Sequence, residues 1–189
     1  VTTTPAQEIP RRPLALITGV GRTVGIGAGI ARRLASSGWD IAFTYWTPYD
    51  LRMEWGVEQG ATEAITAELT KRGAASVAIE ADLTDPDAPG RVLDEAESRL
   101  GPVTALVMCH AESVDSGLLD TSLESFDRHF AVNARASWLL IRAFGLRFRS
   151  APAGRLGTPQ DTAHLVDFLC SPQGRWINGQ LLMSNGGLA

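Results

Sequence analysis

The stretch from Leu14 to Leu34 does most to limit what this chain can fold into. It begins with the apolar run Leu14-Ala-Leu-Ile-Thr18, continues through Gly19-Val-Gly21-Arg22-Thr-Val-Gly25-Ile-Gly27, and ends in Ala28-Gly-Ile30-Ala-Arg-Arg-Leu34. Ile26, Ile30 and Leu34 recur four apart, the spacing of one helix face. The order is therefore strand, glycine-rich turn, helix. Glycine accepts positive φ and leaves no Cβ in the way, so such a turn is tight and a ligand can lie against bare backbone. The first N–H groups of the helix are unpaired, and the positive end of its dipole stands behind them. A phosphate or pyrophosphate is the natural occupant. Gly27, Ala28, Gly29 and Ala31 are small enough to bring the helix close to a sheet.

The alternation continues down the chain. Gly38 is placed to close the first helix, and Ile41 to Trp46 reads as a second strand. Thr47 to Gly56 reads as a long connector whose apolar groups, Tyr49, Leu51, Met53 and Trp55, need cover. A second helix is expected from about Glu58 to Arg72, with Ala61, Ile65 and Leu69 on one face. Ser76 to Ala81 is a third strand. Asp87 and Pro89 open a third helix with the stripe Val92, Leu93, Ala96 and Leu100, and Val103 to Cys109 is a fourth strand. Thr121-Ser-Leu-Glu124 has the capping-box pattern and starts a helical region through Phe148. Thr158, Pro159 and Asp161 start a last helix, with Leu165, Val166, Phe168 and Leu169 facing in and Ser171-Pro172 as its stop. Gln180 to Ser184 reads as a final strand.

Strands that are apolar almost throughout and alternate with helices call for a parallel sheet covered on both faces, a doubly wound α/β fold of Rossmann type. At 189 residues the chain is expected to form a single domain over 14–189. Val1 to Pro13 reads as a polar, proline-rich tail rather than a secretory signal. Net charge is −4 with no basic stripe, so no nucleic-acid partner is expected. No apolar run approaches the ~20 residues that span a bilayer. Cys109 and Cys170 each lie in an apolar stretch and read as buried free thiols in a reducing cytoplasm. No Cys/His cluster has metal-ligand spacing, and no metal is expected.

Read from Thr18-Gly19, the glycines resemble the Thr-Gly-x-x-x-Gly-x-Gly turn of the short-chain dehydrogenase/reductase family, with two extra residues before Gly25-Ile26-Gly27. Asp82-Leu-Thr-Asp85 resembles the family's adenine-contacting Asp. Asn133, in Phe130-Ala-Val-Asn133-Ala-Arg, resembles its active-site Asn. Gly154-Arg155-Leu-Gly157-Thr-Pro159 and Ile177-Asn-Gly179-Gln180, followed by Gly186-Gly187, resemble its C-terminal signature and look most like the 3-oxoacyl-acyl-carrier-protein reductase branch. The resemblance implies an oxidoreductase that transfers hydride between nicotinamide and a ketone or secondary alcohol. It implies cofactor contacts at Gly19, Gly21, Arg22, Gly25, Ile26, Tyr45, Asp82, Leu83 and Ala111, and a catalytic role for Asn133. In the family a Tyr hydroxyl protonates the carbonyl oxygen, a Lys lowers that Tyr's pKa, a Ser holds the oxygen and the Asn supports a water-linked proton path.

Two departures stand out. Where the family usually has Asn-Asn-Ala-Gly, this chain has Met108-Cys109-His110-Ala111, which puts His110 near the nicotinamide side in a structural role. The catalytic Ser and Tyr-x-x-x-Lys are absent: the only tyrosines are Tyr45 and Tyr49, and the only lysine is Lys71. The gap falls between the Asn133 helix and Gly154-Arg155. Two strand–helix units cannot fit there, because each parallel crossover needs about a dozen residues or more. Either the protein has lost its catalytic half, or the natural chain has a further segment near 149–152. The second is favoured, since deleting central strands would strip the fourth and last strands of neighbours. A catalytically inactive nucleotide-binding module, a sensor or structural partner, is the alternative. An S-adenosylmethionine methyltransferase also uses a glycine-rich first turn, but it explains Asn133 and the C-terminal signature poorly.

Cofactor choice is read at the end of the second strand. An Asp or Glu there would bond a ribose 2′-OH and repel a 2′-phosphate. Thr44-Tyr45-Trp46 has no carboxylate, and Arg22 stands near where that phosphate would lie, so NADP(H) is expected over NAD(H). The helix from Ala134 to Phe148 carries Trp138, Leu139, Leu140, Ile141, Phe144, Leu146 and Phe148, more than the stripe of about 100° that one sheet covers. Family members commonly pair through this helix, and the surplus predicts a homo-oligomer, tetramer or dimer.

Overall fold

The computed structural model describes residues 12–147 and 158–182. The chain divides into two units after Arg147. In the first unit, β1 (Leu14–Thr18), β2 (Asp40–Tyr45), β3 (Ser76–Glu80) and β4 (Val103–Met108) form a parallel sheet in the order β3-β2-β1-β4. Between them run α1 (Ile26–Ser36), α2 (Thr47–Arg52), α3 (Ala61–Lys71) and α4 (Ala88–Leu100). The two-residue period of β1 divides the core into two layers. Ala15 and Ile17 meet Ala28, Ala31 and Ala35 of α1 and Ile65 and Leu69 of α3, while Leu14 and Leu16 meet Val92, Leu93 and Ala96 of α4. This is the doubly wound parallel arrangement expected. β4 is the exception to full cover. It is as apolar as β1 but only partly buried, and among the described residues no strand pairs with its outer edge.

Several local expectations change. The buried side of α1 is Gly27, Ala28, Ala31 and Ala35, whereas Ile26 is 81% exposed. Gly29 does not touch the sheet, since nothing lies within 4 Å of where its Cβ would be. Gly27, Ala28 and Ala31 set the helix against the strands as expected, with Ile30 and Leu34 packed partly buried beside them. The connector after β2 contains a helix, α2, with Pro48 in its first turn, where proline's fixed φ favours a helix start. α3 begins only at Ala61, because Gly60 takes the left-handed φ of 73°. Ser122, not Thr121, caps α5 (Leu123–His129), its hydroxyl accepting the Ser125 N–H at 3.1 Å. Thr121 donates instead to the Gly117 carbonyl. The helical region then widens into a π segment, Phe130–Ala136, before α6 (Ser137–Arg147).

In the second unit, α7 (Pro159–Cys170) starts at Thr158 and stops at Ser171 as expected, with Asp161 accepting the Thr158 N–H at 2.7 Å. Val166, Phe168 and Cys170, expected to be buried, are exposed, and Cys109 of the first unit is only half-buried. Residues 180–182 of the expected final strand form no strand. Residues 1–11, the gap at 149–152, Phe148, Gly154, Arg155, Gly157, Ser184, Gly186 and Gly187 lie outside the described residues. Arg12 is no part of a free tail, because it donates to the Ala35 and Trp39 carbonyls at 2.9 and 3.1 Å. No helix among the described residues is long and apolar enough to cross a membrane.

Two glycines should respond oppositely to alanine. Gly19 has φ +75°, and a Cβ there would fall 2.6 Å from the His110 nitrogen. Gly19→Ala should cost about 2 kcal/mol or more of unfolding free energy. Gly29→Ala, in open space on a helix, should add roughly 0.5–1 kcal/mol. Urea denaturation of both variants reads the two signs.

Candidate cofactor-binding site

The C-terminal ends of the four strands meet where the strand order reverses, between β1 and β4. Open α/β sheets bind ligands at such a switch point. A cavity of about 420 Å³ opens there. Gly19, Gly21, Arg22, Gly25 and Ile26 line it from the first turn, Tyr45 from β2, Asp82 and Leu83 from beyond β3, and Ala111 from beyond β4. The nominated cofactor residues therefore share one cleft.

Its floor is bare backbone. A Cβ on Gly27 would fall 2.9 Å from the buried Val20 Cγ2 and 3.0 Å from the Gly19 carbonyl, while one on Gly21 would meet only the movable carboxylate of Asp50. α1 follows directly from Gly25 with no side chain capping its first turn, so its N–H groups and positive dipole end remain available to the cleft. This cradle fits a dinucleotide pyrophosphate. The longer loop is pinned from outside the cradle. Glu58 accepts the Thr23 N–H and hydroxyl at 2.9 and 2.6 Å, and Arg32 donates to the Thr23 carbonyl at 2.7 Å.

At one end of the cleft, Asp82 Oδ1 accepts the Thr84 N–H and hydroxyl at 2.8 and 2.7 Å. The Arg22 guanidinium lies 4.3 Å over the Trp55 ring, and Trp55 donates to Asp50 at 2.9 Å. Of the connector's apolar groups that needed cover, Trp55 forms a shelf for Arg22, whereas Leu51 remains exposed.

At the other end, His110 Nδ1 is 2.6 Å from the Thr18 hydroxyl and Nε2 is 3.2 Å from the Val132 carbonyl. A carbonyl only accepts, so Nε2 carries the proton and Thr18 donates to Nδ1. Burial pushes the imidazole pKa down, opposed by the Val132 hydrogen bond, with a net lowering. The neutral ring ties β1 to the π segment. Asn133 does not line the cavity. Its amide brackets a loop that does line the cavity, accepting the Glu112 N–H at 2.8 Å and donating to the Glu112 carbonyl at 2.9 Å.

Sequence reasoning missed Glu112 and its partners. Glu112 is 4% exposed, accepts from both terminal nitrogens of Arg52 at 2.9 and 3.0 Å, and lies 3.4 Å from Arg128 Nε. Burial alone would raise its carboxyl pKa. The Arg52 hydrogen bonds and the two guanidinium charges outweigh burial and lower it. One Glu in a polar loop carries no pattern, and Arg52 stands 60 residues away.

The family described as Enoyl-(Acyl carrier protein) reductase matches residues 19–149. This chain belongs to the short-chain dehydrogenase/reductase family. An "Uncharacterized oxidoreductase YjdA" of Bacillus subtilis is 24% identical over 249 aligned positions, covering 92% of this chain and 96% of the relative. Those 249 positions outnumber the 189 residues of this chain. The 1-deoxy-11-beta-hydroxypentalenate dehydrogenase of Streptomyces arenae is 34% identical over 158 positions, covering 80% of this chain and 51% of that protein. A short-chain dehydrogenase of Burkholderia cenocepacia, solved in complex with NADP, is 32% identical with a TM-score of 0.60, over 72% of this chain and 50% of that one. The chain spans about half the length of these last two proteins.

His110 predicts a pH dependence of stability. Unfolded, it titrates near its ordinary 6.5, and folded, it titrates lower. The unfolded state takes up the proton first, so the contribution is full above about 6.5 and is lost as pH falls toward the folded value. Urea unfolding between about pH 5 and 8 should show that slope, and His110→Asn should flatten it.

Proposed function

We propose that the natural protein is an NADP(H)-dependent, 3-oxoacyl reductase-like enzyme acting on a ketone or secondary alcohol, and that this chain supplies its nucleotide-binding part. The glycine cradle at the switch point, with Arg22 stacked on Trp55 at its rim, carries this conclusion. Gly19, Gly21, Gly25 and Ile26 would hold the pyrophosphate, Tyr45, Asp82 and Leu83 the adenosine, Arg22 the 2′-phosphate, and Ala111 the approach to nicotinamide. Bound nicotinamide would supply the hydride. Asn133 would serve the active site from its hold on the loop beside it. The lack of a carboxylate in Thr44-Tyr45-Trp46 supports NADP(H).

The Tyr-x-x-x-Lys pair is not among these residues. A longer natural chain, with the pair in a segment near 149–152, is supported by β4. Its Met108 is 39% exposed, and an uncovered apolar edge strand is a liability that proteins manage by pairing or covering it. An alignment of 249 positions that reaches across 96% of a relative supports the same conclusion. Only the missing pair favours a catalytically inactive nucleotide-binding module. Exposed Phe126, Phe130, Trp138 and Ile141 support a homodimer or tetramer, and the free thiols support a reducing cytoplasm.

Native mass spectrometry of the protein purified from its source reads chain length and assembly together. Subunits heavier than this sequence, in dimers or tetramers, are expected. Monomers of the sequence's own mass would favour the inactive module. Arg22→Ala should weaken NADPH binding by about 1.5–3 kcal/mol, one to two orders of magnitude, and NADH binding far less. Equal losses in a fluorescence titration would remove Arg22 from the 2′-phosphate.

A further inference from the structure

We infer that Glu112 is a positioning residue for the dinucleotide, a fixed post to which α2 is latched along the rim of the cleft. This rests on the cleft being a nucleotide site. α2 has no buried residue, so no apolar anchor holds it down. Its ties are polar. Arg52, its last residue, forks onto both oxygens of Glu112. The Arg52 guanidinium also lies 5.6 Å from the centroid of the Tyr49 ring, and Tyr49 faces the same cleft as Ser113 of the Glu112 loop. What α2 and the turn after it carry is the cleft wall itself: Tyr49, Asp50 and Trp55 all line the cavity, and Trp55 supports Arg22.

Glu112 can act as the post because it is held from other directions. Arg128 of α5 approaches the same carboxylate, and Asn133 takes both backbone groups of the residue. The carboxylate is almost wholly buried, whereas Arg52 is 39% exposed in its side chain. Arg52 is therefore the more solvent-exposed partner of the pair. If Arg52 leaves, the buried charge loses its bidentate partner, which keeps the latch closed. Displacing α2 would move Trp55, and with it the support of Arg22.

Arg52→Met keeps the aliphatic stem and removes the fork, and Arg52→Lys keeps the charge without bidentate geometry. In Arg52→Met, NADPH affinity should fall about tenfold, the scale of a coupled contact. Amides of residues 47–56 should exchange faster in the nucleotide-free protein while those of α4 do not change, and Arg52→Lys should lie between. Arg52→Met/Glu112→Gln should lose no more affinity than the weaker-binding single variant. Unchanged binding and exchange in Arg52→Met, or additive losses in the double variant, would overturn the latch. If the wild-type protein binds neither NADPH nor NADH, the nucleotide reading fails, and the exchange measurement still decides whether Glu112 holds α2.

Discussion

Gly19 lies directly against the peptide that joins Cys109 to His110, with no room for a side chain between them. The remaining features of the site depend on this approach. It brings the end of β1 alongside the end of β4, so Thr18 can donate to His110 and accept the Cys109 N–H at 3.3 Å. It leaves the turn backbone facing the cleft, with the open end of α1 beside it. Through His110 it reaches Val132, and so couples the first turn of the chain to the π segment.

The loop after β4 is held by side chains rather than by secondary structure. His129 accepts the Val114 N–H at 3.3 Å, Asn133 brackets Glu112, and Arg52 and Arg128 meet its carboxylate. These partners come from α2, α5 and the π segment. Widening the helix at Phe130–Ala136 changes the directions of its groups, and both Asn133 and the Val132 carbonyl turn to this loop. The Asn that resembles a family active-site residue thus has a defined structural task.

The strands and the larger helices were legible because burial on one or both faces writes a period into the sequence. The cleft residues were legible because a glycine turn between strand and helix permits few other uses. The small residues of α1 were legible as its contact with the sheet at Gly27, Ala28 and Ala31, while Gly29 and Ile26 turned out to face away, because one residue's step around a helix moves a side chain about 100°. α2 was invisible, since six residues with no buried side chain leave no period. The π segment has no distinct pattern of its own, and the Ser122 cap differs from the expected one by a single residue. The Glu112 cluster joins residues from separate elements, which only the fold brings together.

A calorimetric titration of the folded protein with NADPH tests the central claim, that the switch-point cleft is a dinucleotide site. A single saturable site, competed by 2′,5′-ADP, is the predicted result. No saturable heat with either NADPH or NADH, from protein whose circular dichroism shows it folded, would contradict it.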